Sequence, residues 1–326
     1  MAKGKRYRGR ARRSQPLWLL AAAVVAAAAL WGARTLGILP DASGEKTGAP
    51  VSAAQGDTGG GGSASGTLEV YFFDVGQGDS ELIRLPGGEN ILIDAGTSST
   101  EDELVGELRS LGAETLDLVV ATHPHADHIG GMAAVIDAFD VRQVVMPRIS
   151  ESDTPTTKTY ENLLQSIADK GLTITPAEPG DELLSSGGAV LTVLAPNGED
   201  CGDLNNYSVV LRLTYGEDSF LFTGDAEEAS EEEMLSLDWP LTATVLKCGH
   251  HGSETSTSPA FLDAVSPQYA VISCGVDNDY GHPDAVTLEK LEAAGAEVFR
   301  TDLQGTILAS TDGSGVTMTA LGKAEE

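Results

Sequence analysis

Three histidines and a carboxylate fall within six residues of the stretch Thr122-His123-Pro124-His125-Ala126-Asp127-His128. The chain has six histidines in all, and the other three, His250, His251 and His282, each sit in a glycine-flanked stretch. Neutral imidazole and carboxylate are ligands for Zn²⁺, Mn²⁺ or iron. In extended backbone alternate side chains point the same way, so His123 and His125 can share one ion. Asp127 and His128 fall past a turn and can face a second ion close by. Two such ions lower the pKa of a shared water to about 7, which makes a nucleophile without any activated serine. The pattern therefore predicts two divalent metal ions, Zn²⁺ or Mn²⁺, and hydrolytic chemistry.

Strands and helices must deliver these groups. Residues 116–122 form an apolar run that predicts a buried strand ending at the histidines. Gly130 and Gly131 allow a tight entry into a helix over 129–139. Upstream, strands are expected at 68–75, 80–85 and 90–94 with glycine turns between them. A helix follows at 101–111 with Thr100 as its N-cap. Downstream come a strand at 143–146 and a helix at 156–170. A second β-rich half then has strands at 172–175, 189–194, 208–214, 219–223, 242–248, 269–273 and 297–300, plus two from residue 306. Its helices are expected at 227–236, 259–265 and 285–294. Two mixed β halves with helices between strands predict layered α/β architecture, two sheets face to face with helices outside.

The strand at 242–248 aims His250 at the same sheet edge, which makes it the better ligand candidate. His251 then reads as a supporting or substrate-facing group, although spacing alone allows either member of the pair to be the ligand. His282, in a Gly-His-Pro turn, reads as a ligand or as a general acid near the leaving group. Asp94 follows a strand and is expected to hold the histidine loop through hydrogen bonds, as carboxylates behind metal ligands do. Gly76 and Gly78 read as turn formers, and Cys248 as a core residue.

His123-Pro-His125-Ala-Asp127-His128 resembles the signature of the metallo-β-lactamase superfamily. Four further motif regions narrow the likeness: Phe73-Asp74-Val75-Gly76-Gln77-Gly78-Asp79-Ser80 with Leu92-Ile93-Asp94-Ala95-Gly96, then Phe222-Thr223-Gly224-Asp225, then Lys247-Cys248-Gly249-His250-His251-Gly252-Ser253, and Tyr280-Gly281-His282-Pro283. Together they resemble the soluble hydrolase domain of ComEC-type competence proteins, over residues 67 to about 322. The resemblance implies a four-layer αββα sandwich with metals at one edge. It implies a metal set of His123, His125, Asp127, His128, Asp225 and His250, with Asp225 bridging the ions. The lactamases place another metal histidine between the first cluster and that aspartate. Here none lies between His128 and His250, and Asn205-Asn206-Tyr207-Ser208 stands instead. An amide there suits a water or a phosphate oxygen, so Asn205 and Ser208 join Asp127, His251 and His282 as candidate catalytic groups. The bias shifts from lactams to phosphodiesters, either DNA or a small phosphoester. Another small ester (phosphocholine, thioester or lactam) and a non-catalytic surface binding module are the competing readings.

Charge bounds the partners. Residues 1–16 carry seven cations and no acid. Residues 67–326 carry 11 Lys/Arg against 46 Asp/Glu, a formal charge of 11 − 46 = −35. Such a surface repels polyanions and has no strong electrostatic nucleic-acid patch. Residues 17–33 are uncharged and apolar but for Gly32, with Trp18 and Trp31 near the ends. With the cations before it, segment 17–39 reads as a transmembrane anchor, the alternative being a cleaved signal peptide. Residues 40–66 are rich in Gly and Ser and read as a flexible linker, and 67–326 as the hydrolase domain. The expected location is the cell membrane, single-pass with the catalytic domain outside the cytoplasm, or else secreted. Three scattered cysteines give no disulfide framework.

Overall fold

The computed structural model describes residues 66–198 and 201–322. The basic segment, the apolar segment and most of the linker lie outside them. Among the described residues no helix is long and apolar enough to cross a membrane.

Period-two alternation builds the layers. In β1 (Leu68–Phe72), Leu68, Val70 and Phe72 enter one core while Tyr71 enters another. Ile91 and Ile93 of β3 (Asn90–Ile93) join the first core and Leu92 the second. In β12 (Asp218–Phe222), Phe220 and Phe222 join that same first core, and Leu221 faces a third. The shared core therefore lies between two sheets, where Phe72 stacks on Phe222 with centroids 6.1 Å apart. The second and third cores lie beneath helices on the outer faces. This is the layered α/β architecture that the alternating elements predicted, in the αββα form that the resemblance implied.

One sheet has eight strands in the order β17 (Val316–Gly322), β16 (Thr306–Thr311), β1, β2 (Glu81–Arg84), β3, β5 (Leu118–Val120), β7 (Val144–Met146) and β8 (Ile174–Pro176). The other has seven, β15 (Glu297–Arg300), β14 (Tyr269–Ile272), β13 (Val245–Lys247), β12, β11 (Val210–Tyr215), β10 (Ala189–Ala195) and β9 (Glu182–Ser186). The short β4 (Thr115–Leu116) and β6 (Asp140–Val141) pair with each other. In the eight-stranded sheet, β3, β5, β7 and β8 run parallel. In the seven-stranded sheet, β12, β13, β14 and β15 do the same. The chemistry-bearing loops follow the C-terminal ends of β3, β5, β12, β13 and β14, where open α/β sheets place ligands.

Three local departures have physical reasons. The run 116–122 breaks at Asp117, whose carboxylate accepts hydrogen bonds from the Asn90 amide and the Arg142 guanidinium. After α1 (Glu101–Ser110), the helix expected at 129–139 begins earlier, as α2 (Ala126–Ile129), and resumes as α3 (Met132–Ala138). A Cβ on Gly130 would run into Ala126 and Ser98 backbone, and one on Gly131 into the Ala95 carbonyl, so the pair lets the turn dock against the β3 loop. Strand β9 (Glu182–Ser186) has no apolar alternation and sits at a sheet edge, so its sequence did not predict it.

Candidate metal centre

His123 lies in the bend that follows β5, and His125 (φ −72°, ψ 150°) caps the turn α2 that carries Asp127 and His128. Asp94 lies behind this loop in left-handed backbone, φ 53°. Its carboxylate accepts from the Thr122 amide at 2.8 Å, the Thr122 hydroxyl at 2.6 Å and His128 Nδ1 at 2.7 Å. The Thr122 hydroxyl has thus given its proton to Asp94, and its oxygen accepts from His123 Nδ1 at 3.1 Å. Both imidazoles therefore direct Nδ1 at an oxygen behind them and Nε2 toward the centre. Asp94 occupies the supporting place expected of it.

Asp225 follows β12, and its amide donates to Ser208 Oγ at 3.0 Å. The carboxylate is buried among the histidines. His128 Nε2 is 3.1 Å from its Oδ1, and His123 Nε2 is 3.7 Å from its Oδ2. His251 Nε2 reaches both Asp127 Oδ2, at 3.3 Å, and Asp225 Oδ2, at 3.7 Å. Its Nδ1 donates to the Ser273 carbonyl at 3.0 Å and lies 3.1 Å from Asp79 Oδ1. Three imidazoles therefore have Nδ1 tied back and Nε2 turned toward carboxylate oxygens. His125 Nδ1 adds a fourth nitrogen, 3.0 Å from His123 Nε2.

The groups sort into two clusters that share Asp225: His123, His125 and Asp225, and a second with His128, His251 and Asp79. In the second, Asp79 lies on the Nδ1 side of His251 and is bound to Lys247 Nζ at 2.6 Å, so it supports the ring from behind. Asp127 supplies the carboxylate on the Nε2 side. A potential binuclear metal-binding site is present, and the residues fit ions on their own evidence. His128 Nε2 and Asp225 Oδ1 are buried, face each other and make no hydrogen bond. Such an arrangement of lone pairs calls for a cation between them.

Potentials in the site agree. Burial opposes charge on His128, but Asp225 and Asp94 outweigh it and hold its pKa well above the ordinary value. Burial likewise opposes charge on His251, but Asp225 and Asp79 push it up to about 10. Asp225 is held well below the carboxylate range, since His128 and His251 outweigh its desolvation. His123 is pushed well below the imidazole range by burial and then by His128. The centre is a pocket of negative potential that is too crowded for every imidazole to protonate.

The other candidates fall in different places. His250 and His251 both adopt left-handed backbone, φ 50° and 54°, which non-glycine residues adopt at a cost. That reversal turns the two rings apart. His250 Nδ1 meets Glu227 Oε1 at 3.3 Å and Thr255 Oγ1 at 3.2 Å, and its Nε2 stays 3.8 Å from Asp225. The geometry thus favours His251, and not His250, for the inner position; an extended strand end would have given the opposite order. Asn205 donates to Glu227 Oε1 at 3.3 Å, and Asn206 Oδ1 accepts from the Glu227 amide. Neither asparagine lines the cavity over the centre, and Ser208 is buried behind His123 and Asp225. His282 does line it, with Nδ1 buried and unpartnered. Burial and then His250 lower its pKa, which favours the neutral ring.

Asp79 and Lys247 received no role from the sequence. Both are buried, 168 positions apart, and pin the β1–β2 loop to β13 across the sandwich. Lys247 also donates to the Cys248 carbonyl at 3.1 Å. The available signal was a lysine inside an otherwise uncharged run, 242–248, in a domain with few cations. Gly78 belongs to the same device: a Cβ there would collide with the Asp127 carbonyl, which accepts the Asp79 amide at 3.2 Å. Cys248 is in the third core, and burial pushes its thiol up to about 12, leaving it inert.

The fold and this centre are those of a metal-dependent hydrolase fold of the metallo-β-lactamase type, with a potential two-metal site. A family model described as the metallo-beta-lactamase superfamily matches residues 73–276, and the chain belongs to that superfamily. It is 33% identical over 256 residues to ComE operon protein 3 of Bacillus subtilis (strain 168), covering 73% of this chain and 32% of that protein. It is 32% identical over 240 residues to Competence protein ComA of Neisseria gonorrhoeae, covering 73% and 31%. The chain spans about a third of the length of these curated relatives. Among solved structures, the diiron beta-hydroxylase CmlA from Streptomyces venezuelae aligns with a TM-score of 0.50 at 15% identity, covering 76% of this chain and 54% of that one. That likeness concerns the fold.

Proposed function

We propose that the chain is a phosphodiesterase or nuclease, tethered to the membrane by its N-terminal segment with the hydrolase domain outside the cytoplasm. The observation that carries the catalytic part is the convergence of His123, His128 and His251 Nε2 on Asp225 and Asp127. One ion would be held by His123, His125 and Asp225, and the second by Asp127, His128, His251 and Asp225. Bound there, the ions supply an activated water and neutralise charge on the phosphoryl oxygens. The chain's own contribution is positional. Ser208 fixes the Asp225 backbone, Asp94 fixes His128, and Asp79 with Ser273 fixes His251. Attack of water on phosphorus releases a proton and breaks one ester P–O bond. His282, neutral beside the cavity, can take up the released proton and return it to the departing oxygen. Ser208 is occupied behind the centre and is no nucleophile.

Two things favour phosphodiesters over lactams. No histidine lies between His128 and His250, and of the two similar proteins at 32–33% identity one is named a competence protein and neither a lactamase. The tether rests on the basic run 1–16 followed by the apolar stretch 17–33. The test supplies the full chain with Mn²⁺ or Zn²⁺ and a panel of single-stranded oligonucleotide, bis-p-nitrophenyl phosphate, a thioester and a β-lactam. Phosphodiester cleavage is expected to dominate. Asp127→Ala should reduce it by more than about a hundredfold, because it removes an ion ligand and loss of a residue merely behind a ligand already costs about 10–100-fold. Preferential lactam or thioester cleavage, or an unaffected Asp127→Ala, overturns the reading.

A further inference from the structure

The cavity over the centre, about 330 Å³, is lined by Gln77, His125, Asp127, His250, Tyr280 and His282 among others. No lysine or arginine is among its described lining residues. Lys247 is buried and committed to Asp79. With a formal charge of −35 over residues 67–326, the domain has little to attract a long polyanion. The described residues lining the cavity therefore provide no cationic clamp for phosphates flanking the one being cleaved.

What the cavity does present is an aromatic face. Tyr280 is 69% exposed although it lines the cavity. Its ring stacks on His282, with centroids 5.7 Å apart and planes at 24°. His282 in turn lies 5.6 Å from the His250 ring and 6.5 Å from His251, so two ring-to-ring steps connect Tyr280 to the centre. The loop is held in place. Asn278 Oδ1 accepts from the amides of Tyr280 (3.2 Å) and His282 (3.0 Å), and its Nδ2 donates to the carbonyls of Gly275 (2.9 Å) and His282 (2.6 Å). A ring ordered in advance loses little entropy when a ligand stacks on it.

We propose that Tyr280 is a stacking platform for the nucleobase beside the scissile phosphate, an inference that rests on the phosphodiesterase reading. The substrate class is then a short unpaired nucleic-acid segment, held by its base and by the phosphate at the centre, with little help from the flanking backbone. Every base has a π-face, so binding is tolerant of sequence. One base on one aromatic ring is worth about five- to a hundredfold in affinity. With few phosphates neutralised by cations, the salt dependence is shallow.

Two single-stranded oligonucleotides of equal length test it, one all-thymidine and one abasic beside the cleaved bond. With the full chain and Mn²⁺, Tyr280→Ala should raise KM for the first about tenfold with much less change in kcat. The penalty should shrink on the abasic strand, and Tyr280→Phe should restore binding. A 2-aminopurine at the same position reports stacking without hydrolysis, its fluorescence quenched by wild type and not by Tyr280→Ala. If Tyr280→Ala matches wild type in KM and quenching, the platform is overturned. If quenching depends on Tyr280 but no phosphodiester is cleaved, the platform stands and the phosphodiesterase reading fails. If cleavage of glycerophosphocholine suffers more from Tyr280→Ala than the oligonucleotide does, the ring reads a quaternary ammonium and the nucleobase proposal is overturned.

Discussion

The loop after β5 and the loop after β13 both bring histidines to the same sheet edge, but they hold them by different means. After β5 the backbone is ordinary: a bend at His123 and Pro124, an extended His125, then one helical turn. The support sits in one neighbouring residue, Asp94, which accepts three hydrogen bonds from Thr122 and His128. After β13 the backbone is strained at two consecutive histidines, and support comes across the sandwich from the Asp79–Lys247 pair. The first loop is a local motif with a local brace. The second is set only when both sheets have packed. Breaking each brace should therefore have different consequences, one mainly for metal affinity and the other mainly for folding.

The largest effect is expected at Lys247. Lys247→Met leaves the Asp79 carboxylate buried without its cation, and loss of one partner of a buried pair costs about 3–5 kcal/mol. Denaturant unfolding measures it. The double variant Asp79→Asn/Lys247→Met should recover most of the loss, because no unpaired charge then remains. If the single and double variants are equally destabilised, the pair is not the brace described.

Asp94→Asn should leave the fold largely intact and weaken metal binding about 10–100-fold, the usual cost of losing the carboxylate behind a ligating histidine. Titration with Mn²⁺ followed by calorimetry reads it. A change confined to unfolding, with metal affinity intact, would erase the contrast between the loops.

The smallest effect lies away from the centre. Glu107 lines a separate cavity with Tyr71 and Phe73, and burial, then Glu103, push its carboxyl up to about 7. The folded state then binds its proton more tightly than the unfolded chain does, so stability falls as pH rises from the ordinary 4.5 through 7. Glu107→Gln removes that loss. Its thermal midpoint should gain on wild type between pH 5 and pH 8 by about 1–2 °C, solvent screening of this half-buried group being allowed for. A constant difference across that range would contradict the assignment.

The same contrast explains what the sequence made legible. The first loop could be read from spacing alone, because strand periodicity and one helical turn map His123, His125, Asp127 and His128 onto two facing clusters. The sandwich was legible for the same reason, since apolar alternation in β1, β3 and β12 separates the central core from the outer ones. The order of His250 and His251 was not, because two successive left-handed residues reverse which ring faces inward and no residue type there announces it. Asn205 and Ser208 read as catalytic candidates, but neither lines the cavity, and their partners, Glu227 and the Asp225 amide, are tertiary facts. The Asp79–Lys247 pair joins positions far apart along the chain, and only packing of the two sheets reveals it.

The central claim is that one histidine from the second sheet completes a two-ion centre, and that it is His251. The most direct measurement is metal content per chain, by elemental analysis, after loading wild type, His251→Ala and His250→Ala with Zn²⁺ and removing the excess. The account predicts two ions in wild type, one in His251→Ala and two in His250→Ala. Loss of an ion from His250→Ala with two retained in His251→Ala would contradict it.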